Sequence, residues 1–573
     1  MSRTKKQAAA PAFVWRLRLV AACLALGGIV LVARAVQLQV FSQTFLAEQA
    51  AARHLRVARL AAHRGAITDR NGAPLAVSTP VDSVWVNPRE LVQAPDRIAE
   101  LARVLDRDAR DLARQVTRSV DKSFMYLRRH MNPADAQAVL ALEIPGVDLQ
   151  REYRRFYPAG EVSGHLVGFT DVDDAGQEGM ELAYNDWLVG RAGRKKVLKD
   201  RLGRVVEDVE FLEAPSPGRE LASAIDLRIQ YLAYRELKAA VQRHRAQSGS
   251  VVVLDIASGE VLAMVNQPSY NPNDRAQFDA QRYRNRAITD ILEPGSAIKP
   301  LVVAAALESG AYRPDSRVDT APGFIQVGAK LIEDAENFGR IDLTTLLARS
   351  SNVGATKLAM SLDAEQLYDV LARFGLGKPS ASGFPGESAG LLSHHSNWRP
   401  ISQATLAYGY GLSLTPLQLA QAYAVIGAGG VMRPVSLLRV SEAPIPRRVI
   451  APEHAAAVLE MLEAVVAPDG TGRLAGVPGY RIAGKTGTSR KFEPGGYAED
   501  RYTAVFAGVA PASRPRLAVV VIVDDPAAGE YYGGVVAAPV FSRVVDGALR
   551  ILAVAPDDFT PRRRPDVTLA ANP

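Results

Sequence analysis

The chain has 573 residues, and we expect two or more domains because a single hydrophobic core stops growing well below that length. Hydrophobic residues make up 48% and charged residues 23%, a globular composition that excludes disorder over most of the chain. The first eighteen residues hold five basic groups and no acid, so the rest carries only +2 of the net +7, which does not indicate nucleic acid binding. The single cysteine, Cys23, excludes an intrachain disulfide and a zinc site built from cysteines.

The N-terminal region is predicted to cross a membrane. Leu19–Ala33 carries no charge, and apolar residues continue beyond Arg34 as far as Phe41. Because an arginine near the end of a span can reach the interface, we interpret 19–41 as a transmembrane anchor that follows a basic cytoplasmic tail at 1–18. A cleaved signal peptide is the alternative, and on either interpretation the basic flank stays in the cytoplasm while the rest is exported.

The segment 42–225 is predicted to form a mixed α/β module. A helical stalk is expected over 42–63, followed by a short strand that ends at Asn71-Gly72, a dipeptide typical of a hairpin turn. Few glycines and regularly spaced charges favour helices over 95–145, whereas 150–225 is rich in strand and turn signals.

A second domain is predicted over 226–555, and its class is α+β. Strands are expected near both of its ends with helices between them, so the sheet closes only when the two ends pair. The predicted elements are a helix at Leu227–Arg243, strands at Ser250–Asp255, Glu260–Val265, Tyr502–Val509 and Leu517–Val523, and helical stretches at Pro300–Leu307 and Leu417–Ile426. The proline-rich and arginine-rich segment 556–573 is interpreted as a disordered tail.

A serine and a lysine are placed for nucleophilic chemistry at Ser296-Ala297-Ile298-Lys299. The preceding Pro294-Gly295 ends one element, so Ser296 is expected to open a helix on which Lys299 lies on the same face. A serine needs an adjacent base, and a lysine with a depressed pKa can be that base. The motif is weak alone, because Ser-x-x-Lys also occurs at Ser2–Lys5 and Ser119–Lys122.

Two further short motifs follow in the same predicted domain. Ser350-Ser351-Asn352 ends a helical run, where Ser and Asn also serve as ordinary polar caps. Lys485-Thr486-Gly487-Thr488 lies on a predicted strand, whose glycines allow a substrate backbone to approach closely, although an ordinary strand end is the alternative.

The ordered set of motifs resembles the signature of active-serine penicillin-recognising enzymes: Ser-x-x-Lys, then Ser-x-Asn 54 residues later, then Lys-Thr-Gly 135 residues beyond that. Other segments are similar to class B penicillin-binding proteins. They are Arg64–Gly72, Arg155–Gly160 and Gly179–Glu181, which resemble the non-catalytic module, and Tyr408–Gln418, which resembles the core of the catalytic domain. The Ser-x-Asn form, where elongation enzymes tend to carry Ser-x-Asp, is similar to the septal, cell-division branch of Gram-negative bacteria.

This resemblance implies a membrane helix, a pedestal module over 42–225, and a transpeptidase domain with an antiparallel sheet covered by helices. It also implies acyl transfer on the D-Ala-D-Ala end of peptidoglycan stem peptides, inhibition by β-lactams, and no metal or organic cofactor. The implied roles are Ser296 as nucleophile, Lys299 as general base, Ser350 as proton relay, Asn352 as holder of the substrate amide, Lys485 as positive field, and the strand residues Thr486, Gly487 and Thr488 as substrate contacts. The family further implies the inner membrane at the septum, with a polymerising glycosyltransferase and other division proteins as partners.

Several alternatives are weighed against this interpretation. A D,D-carboxypeptidase differs only in using water as acyl acceptor, and an elongation-type transpeptidase differs in its second motif. A β-lactamase needs a base for deacylation that the sequence does not reveal, and a catalytically idle scaffold leaves the complete motif set unexplained. The pair His394-His395 is interpreted as part of a polar loop rather than a metal site, and Asp171-Val172-Asp173-Asp174 as a turn.

Overall fold

The computed structural model of the chain describes residues 11–41, 43, 55–199, 205–274, 280–442 and 444–558. Its first helix is Pro11–Val36, which continues as a π-helical turn over Gln37–Phe41. The helical stretch Val14–Phe41 is long and apolar enough to cross a membrane, and none of its most apolar window is buried. One N-terminal helix therefore has the length and composition of the predicted anchor; residues 1–10 of the predicted basic tail lie outside the described residues.

The chain divides into two compact units that are interleaved in sequence. The first takes its described residues from Met1–Ala62, Pro80–Glu152 and Arg191–Ser216. Besides the N-terminal helix, its elements are the helices Pro88–Leu91, Ile98–Val104, Ala109–Arg118 and Pro133–Leu140, the strands Leu55–Leu60, Met125–Met131, Gly193–Lys199 and Val205–Glu213, and parts of Pro74–Val86 and Val147–Phe156. Its core is formed where apolar helix faces pack on strands, with Leu101, Leu112 and Val84 completely buried.

Two sequence predictions for this region are wrong. The stalk predicted as helical over 42–63 is a strand at Leu55–Leu60, paired antiparallel with Gly193–Lys199; residues 42 and 44–54 lie outside the described residues. The helical region predicted over 95–145 is interrupted by the strand Met125–Met131, which pairs with residues 82–86. In both places pairing with a distant strand overrides the local preference.

The second unit comprises His63–Thr79, Tyr153–Gly190 and Pro217–Pro573. It brings together three of the segments that resemble the class B module. Glu181, with its side chain inaccessible to solvent, accepts from Arg64 Nε at 2.8 Å and from Arg155 Nε at 2.6 Å. Buried charges need such pairing, so this cluster fixes Arg64 to residues that lie 91 and 117 positions later in the sequence.

A five-stranded antiparallel sheet forms the centre of the second unit. Its strands are β1 (Ser248–Asp255), β2 (Val261–Gln267), β3 (Ala483–Glu493), β4 (Gly496–Ala510) and β5 (Leu517–Asp524), in the spatial order β2-β1-β5-β4-β3. Where β1 pairs with β5, Val251 lies opposite Val521. The ends of the domain therefore meet in the sheet, as the sequence predicted.

Helices cover both faces of this sheet. The helices of the unit are Gly164–Val167, Gly179–Ala183, Asn185–Leu188, Leu227–Arg243, Ala280–Tyr283, Arg286–Thr289, Lys299–Glu308, Leu343–Arg349, Asn352–Met360, Ala364–Arg373, Pro400–Leu406, Pro416–Gly427, Pro452–Val466, Gly533–Val536 and Ala538–Ile551. The short strands outside the sheet are Ile67–Thr68, Leu221–Ala222, Arg317–Asp319, Phe324–Val327, Lys330–Glu333, Arg340–Asp342, Val431–Met432 and Arg447–Arg448. Leu227–Arg243 and Ala538–Ile551 pack on one face, and Pro416–Gly427 packs on the other.

The alternation of side chains explains this burial on both faces. Val251 and Val253 of β1 contribute to the core on one side of the sheet, whereas Val252 and Leu254 contribute to the core on the other. The continuous apolar runs read from the sequence are therefore strands buried on two faces, and the predicted α+β class is confirmed. Of the predicted tail 556–573, residues 559–573 lie outside the described residues, and Asp557 accepts hydrogen bonds from the backbone of Arg481 and Ser513.

Candidate active site

Ser296 lies at the start of a buried helix, where the sequence placed it. Gly295–Ile298 forms a 3-10 turn that leads directly into the helix Lys299–Glu308, and Pro300 occupies the first turn of that helix. The helix is buried from Lys299 to Leu307, whereas Ser296 remains partly accessible. A hydroxyl on a rigid turn with access to solvent is suited to act as a nucleophile.

Lys299 is completely buried, and its Nζ donates to groups of the second motif. The acceptors are the Ser350 carbonyl at 2.5 Å, Asn352 Oδ1 at 2.8 Å and Ser350 Oγ at 3.2 Å. Burial and the neighbouring Lys485 lower the pKa of Lys299 well below that of a free lysine. In the part of the chain that is described, Ser296 Oγ has no hydrogen bond, and such contacts often form only when a ligand is present.

The second motif forms a tight loop between two helices. Leu343–Arg349 ends at Ser350, whose φ of 61° lies in the left-handed region, and Asn352–Met360 begins two residues later. The Ser351 side chain caps this second helix by accepting from the N–H of Gly354 at 2.8 Å. The loop therefore presents the carbonyl and hydroxyl of Ser350 to Lys299.

The third motif lies on β3, at one end of the described sheet. Lys485 is completely buried, and its Nζ donates to Ser350 Oγ at 3.0 Å. Burial lowers the pKa of Lys485 to about 7. The hydroxyl of Ser350 thus lies between two lysines whose sequence positions are 186 residues apart. The structure brings all three motifs to one place.

The remaining residues of the third motif face neighbouring loops. Thr486 Oγ1 donates to Thr471 Oγ1 at 3.1 Å, and Thr488 Oγ1 accepts from the N–H of Gly533 at 3.0 Å. Gly487 lies against the loop before Ser296, since a Cβ there would stand 2.4 Å from the carbonyl oxygen of Pro294. Only glycine permits this approach of β3 to the loop before Ser296.

Several residues that shape the site are not apparent from the sequence. Asp334 accepts from the backbone N–H groups of Asn352 and Val353, and Gly409 packs against Gly295. Thr471 and Gly533 support β3. The only partial signal was for Gly409, which belongs to the segment Tyr408–Gln418 that resembles the catalytic core. A single aspartate or threonine in a loop carries no local pattern.

The other conspicuous residues of the sequence lie outside this site. The rings of His394 and His395 are 4.2 Å apart in a surface loop. Asp171 Oδ1 accepts from the backbone N–H groups of Asp173 and Ala175, which confirms its interpretation as a turn former. Lys122, of the second Ser-x-x-Lys sequence, is exposed, in contrast to the buried Lys299.

Comparison with known proteins agrees with this geometry. Residues 249–546 match the penicillin binding protein transpeptidase domain, and residues 59–223 match the penicillin-binding protein dimerisation domain. The combination of the three converging motifs and these two domains defines a penicillin-binding protein with a transpeptidase domain. The chain belongs to the class B penicillin-binding proteins, and the resemblance read from its motifs is confirmed.

The relatives cover nearly the whole chain. The peptidoglycan D,D-transpeptidase FtsI of Escherichia coli strain K12 is 44% identical over 552 residues, which cover 95% of this chain and 93% of that protein. The probable peptidoglycan D,D-transpeptidase PenA of Neisseria gonorrhoeae is 41% identical over 92% of this chain and 91% of its own. The apo structure of the TP domain of Burkholderia pseudomallei penicillin-binding protein 3 is 41% identical, with a TM-score of 0.55, and covers 59% of this chain and 98% of that one.

Proposed function

We propose that this protein is a peptidoglycan D,D-transpeptidase that cross-links stem peptides of the septal cell wall. The observation that carries the proposal is the convergence of the three motifs, in which a completely buried Lys299 contacts the loop of Ser350 and Asn352 and lies near a second buried lysine, Lys485. Similarity to FtsI of Escherichia coli over 95% of the chain supports the same activity and its role in division.

Acylation begins at Ser296. Its Oγ attacks the carbonyl carbon of the penultimate D-Ala, and its proton passes to Lys299 Nζ, whose pKa burial and Lys485 lower well below that of a free lysine, which favours the neutral amine. Backbone N–H groups of Ser296 and Thr488 stabilise the oxyanion, a type of contact worth about 2.7–4 kcal/mol per donor in transition-state stabilisation. The amide bond to the terminal D-Ala then breaks, and Ser350 relays a proton to the leaving amine.

Substrate binding uses the strand and the second-motif loop. Asn352 holds the amide of the stem peptide, and β3 aligns the peptide along Thr486, Gly487 and Thr488. The terminal carboxylate of the substrate is an anion, so the charged form of Lys485 attracts it, the Thr488 hydroxyl donates to it, and Thr486 lies beside it. This places the scissile carbonyl beside Ser296.

The acyl-enzyme is resolved by an amine rather than by water. The amine of a neighbouring stem peptide attacks the ester carbonyl, the Ser296 oxygen leaves and regains a proton, and a new amide cross-link forms. A β-lactam acylates Ser296 in the same way, when attack opens the ring C–N bond. The side chains of the site supply the nucleophile, the base and the anion-binding groups that this chemistry requires.

The N-terminal helix tethers the enzyme to the inner membrane. Basic residues at Arg16 and Arg18, with those in 1–10, favour a cytoplasmic N-terminus, so the catalytic domain is periplasmic. The partners of septal synthesis, a polymerising glycosyltransferase and other division proteins, are then reached on that side of the membrane.

Intact-mass spectrometry after incubation with benzylpenicillin tests the proposal. One covalent adduct is expected, mapped by peptide analysis to Ser296, and Ser296→Ala is expected to abolish it. Ser119→Ala is the matched control, because it belongs to a Ser-x-x-Lys sequence whose lysine is exposed. Equal labelling of wild type and Ser296→Ala refutes the nucleophile. Hydrolysis of a pentapeptide without transfer to an added acceptor amine would instead indicate a carboxypeptidase.

A further inference from the structure

A carboxylate outside the three motifs holds the second-motif loop. Asp334 follows the strand Lys330–Glu333, and its Oδ1 accepts from the N–H groups of Asn352 at 2.5 Å and Val353 at 3.0 Å. Its Oδ2 accepts from the hydroxyl of Ser351 at 2.6 Å. One carboxylate therefore accepts three hydrogen bonds, from three consecutive residues of the loop.

These bonds fix the start of the helix Asn352–Met360. The first N–H groups of a helix lack partners within the helix, and a negative charge there also interacts favourably with the helix dipole. The strand end adds a further contact, since Asn352 Nδ2 donates to the carbonyl of Glu333 at 3.1 Å. Asn352 is thus held both by its backbone N–H, on Asp334, and by its side-chain amide, on Glu333.

The loop needs such support because its geometry is unfavourable by itself. Ser350 has a φ of 61°, a conformation that is uncommon for residues other than glycine. In that conformation its carbonyl accepts from Lys299 Nζ at 2.5 Å, and Asn352 Oδ1 accepts from the same atom at 2.8 Å. If the loop relaxes, both contacts to Lys299 are lost together.

The charge of Asp334 also acts on Lys299. Burial and Lys485 both lower the pKa of Lys299, and the negative charge of Asp334 opposes them. The carboxylate is thus a compensating charge for Lys299, which is completely buried.

We propose that Asp334 is a positioning residue of the acyl-transfer site, which holds Ser350 and Asn352 in the geometry that engages Lys299 and supplies a counter-charge to that buried lysine. The inference rests on the proposed function, because it assigns Asp334 a role in acylation of Ser296. It predicts two separable effects, one on the rate at its plateau and one on the pH at which the rate rises.

The test measures the second-order acylation rate of the full-length protein in detergent by a fluorescent penicillin, across pH. Asp334→Asn keeps the shape of the side chain and removes its charge. The rising limb of the profile is expected to move to lower pH, by about one unit, because Lys299 loses its proton more readily without the anion. Asp334→Ala also removes every hydrogen bond to the loop, and its plateau is expected to fall more than about tenfold.

Glu336→Gln is the matched control, because it removes a carboxylate two residues away that is exposed to solvent. This variant is expected to keep the plateau rate of wild type and the pH at which the rate rises. If the acylation rate of Asp334→Asn rises at the same pH as that of wild type, Asp334 is not the counter-charge of Lys299. If the plateau rate of Asp334→Ala lies within about threefold of wild type, Asp334 has no positioning role. If Asp334→Ala fails to fold, the limb of Asp334→Asn decides alone. Wild type that is not acylated at all contradicts the proposed function instead.

Discussion

Replacing Lys299 with arginine distinguishes a general base from a fixed positive charge. The Nζ of Lys299 is completely buried and lies 2.5–3.2 Å from three acceptors of the second-motif loop. Burial and Lys485 lower the pKa of Lys299, so its neutral form is accessible. A guanidinium cannot be deprotonated in a protein, so Lys299→Arg keeps a charge and loses the base.

The expected magnitude follows from the role. General-base catalysis contributes about 10²–10⁴-fold, which corresponds to about 2.7–5.4 kcal/mol of activation free energy. We expect Lys299→Arg and Lys299→Ala to lose acylation to a similar extent, each at least about a hundredfold. The assay is the second-order rate of acylation by a β-lactam, on protein whose folding is verified by its melting transition.

The pH profile of the wild type provides a second readout. The rate rises as Lys299 loses its proton, with an apparent pKa well below that of a free lysine. It falls above about pH 7, because the pKa of Lys485 is lowered to about 7 and its charge is then lost. An arginine variant that retains more than about a tenth of the wild-type rate, a loss of less than about 1.4 kcal/mol, refutes the role of Lys299 as base.

Two further substitutions test the packing beside Ser296 and the pH dependence of stability. Gly409→Ala places a Cβ 2.0 Å from the carbonyl oxygen of Gly295, so the acylation rate is expected to fall more than about tenfold. Gly411→Ala is the control, because Gly411 has a similar φ of +80° but its Cβ would have its nearest neighbour 3.6 Å away, and this variant is expected to keep the wild-type rate. Equal rates for the two variants would contradict this reasoning. Burial lowers the pKa of His165 to about 4, so stability is lost as pH falls from about 6.5 to about 4, by up to about 1.4 kcal/mol per unit. In urea titrations His165→Gln, which keeps a donor for the carbonyl of Arg282, is expected to lose this part of the slope; an unchanged slope would assign it to other groups.

The sequence by itself determined the elements whose signals are local. The continuous apolar runs in β1 and in β5 predict strands. A strand that is buried on both faces turns successive side chains to opposite buried faces, so apolar residues follow one another without polar ones between them. The position of Ser296 after Pro294-Gly295 and before an apolar helix distinguished it from Ser119, and the burial of Lys299 agrees with that choice. Motif order was sufficient to indicate the family.

The tertiary structure decided what depends on contacts between distant segments. The strand Leu55–Leu60 exists because residues 193–199 pair with it, which no local pattern of the two segments specifies. Lys485 reaches Ser350 across 135 residues, and Asp334 reaches the second-motif loop from a neighbouring hairpin. The periodicity of side chains depends only on residues that are neighbours in sequence. The pKa of a buried lysine and the partner of a single carboxylate depend instead on which distant segments pack together. Those contacts form only when the chain has folded.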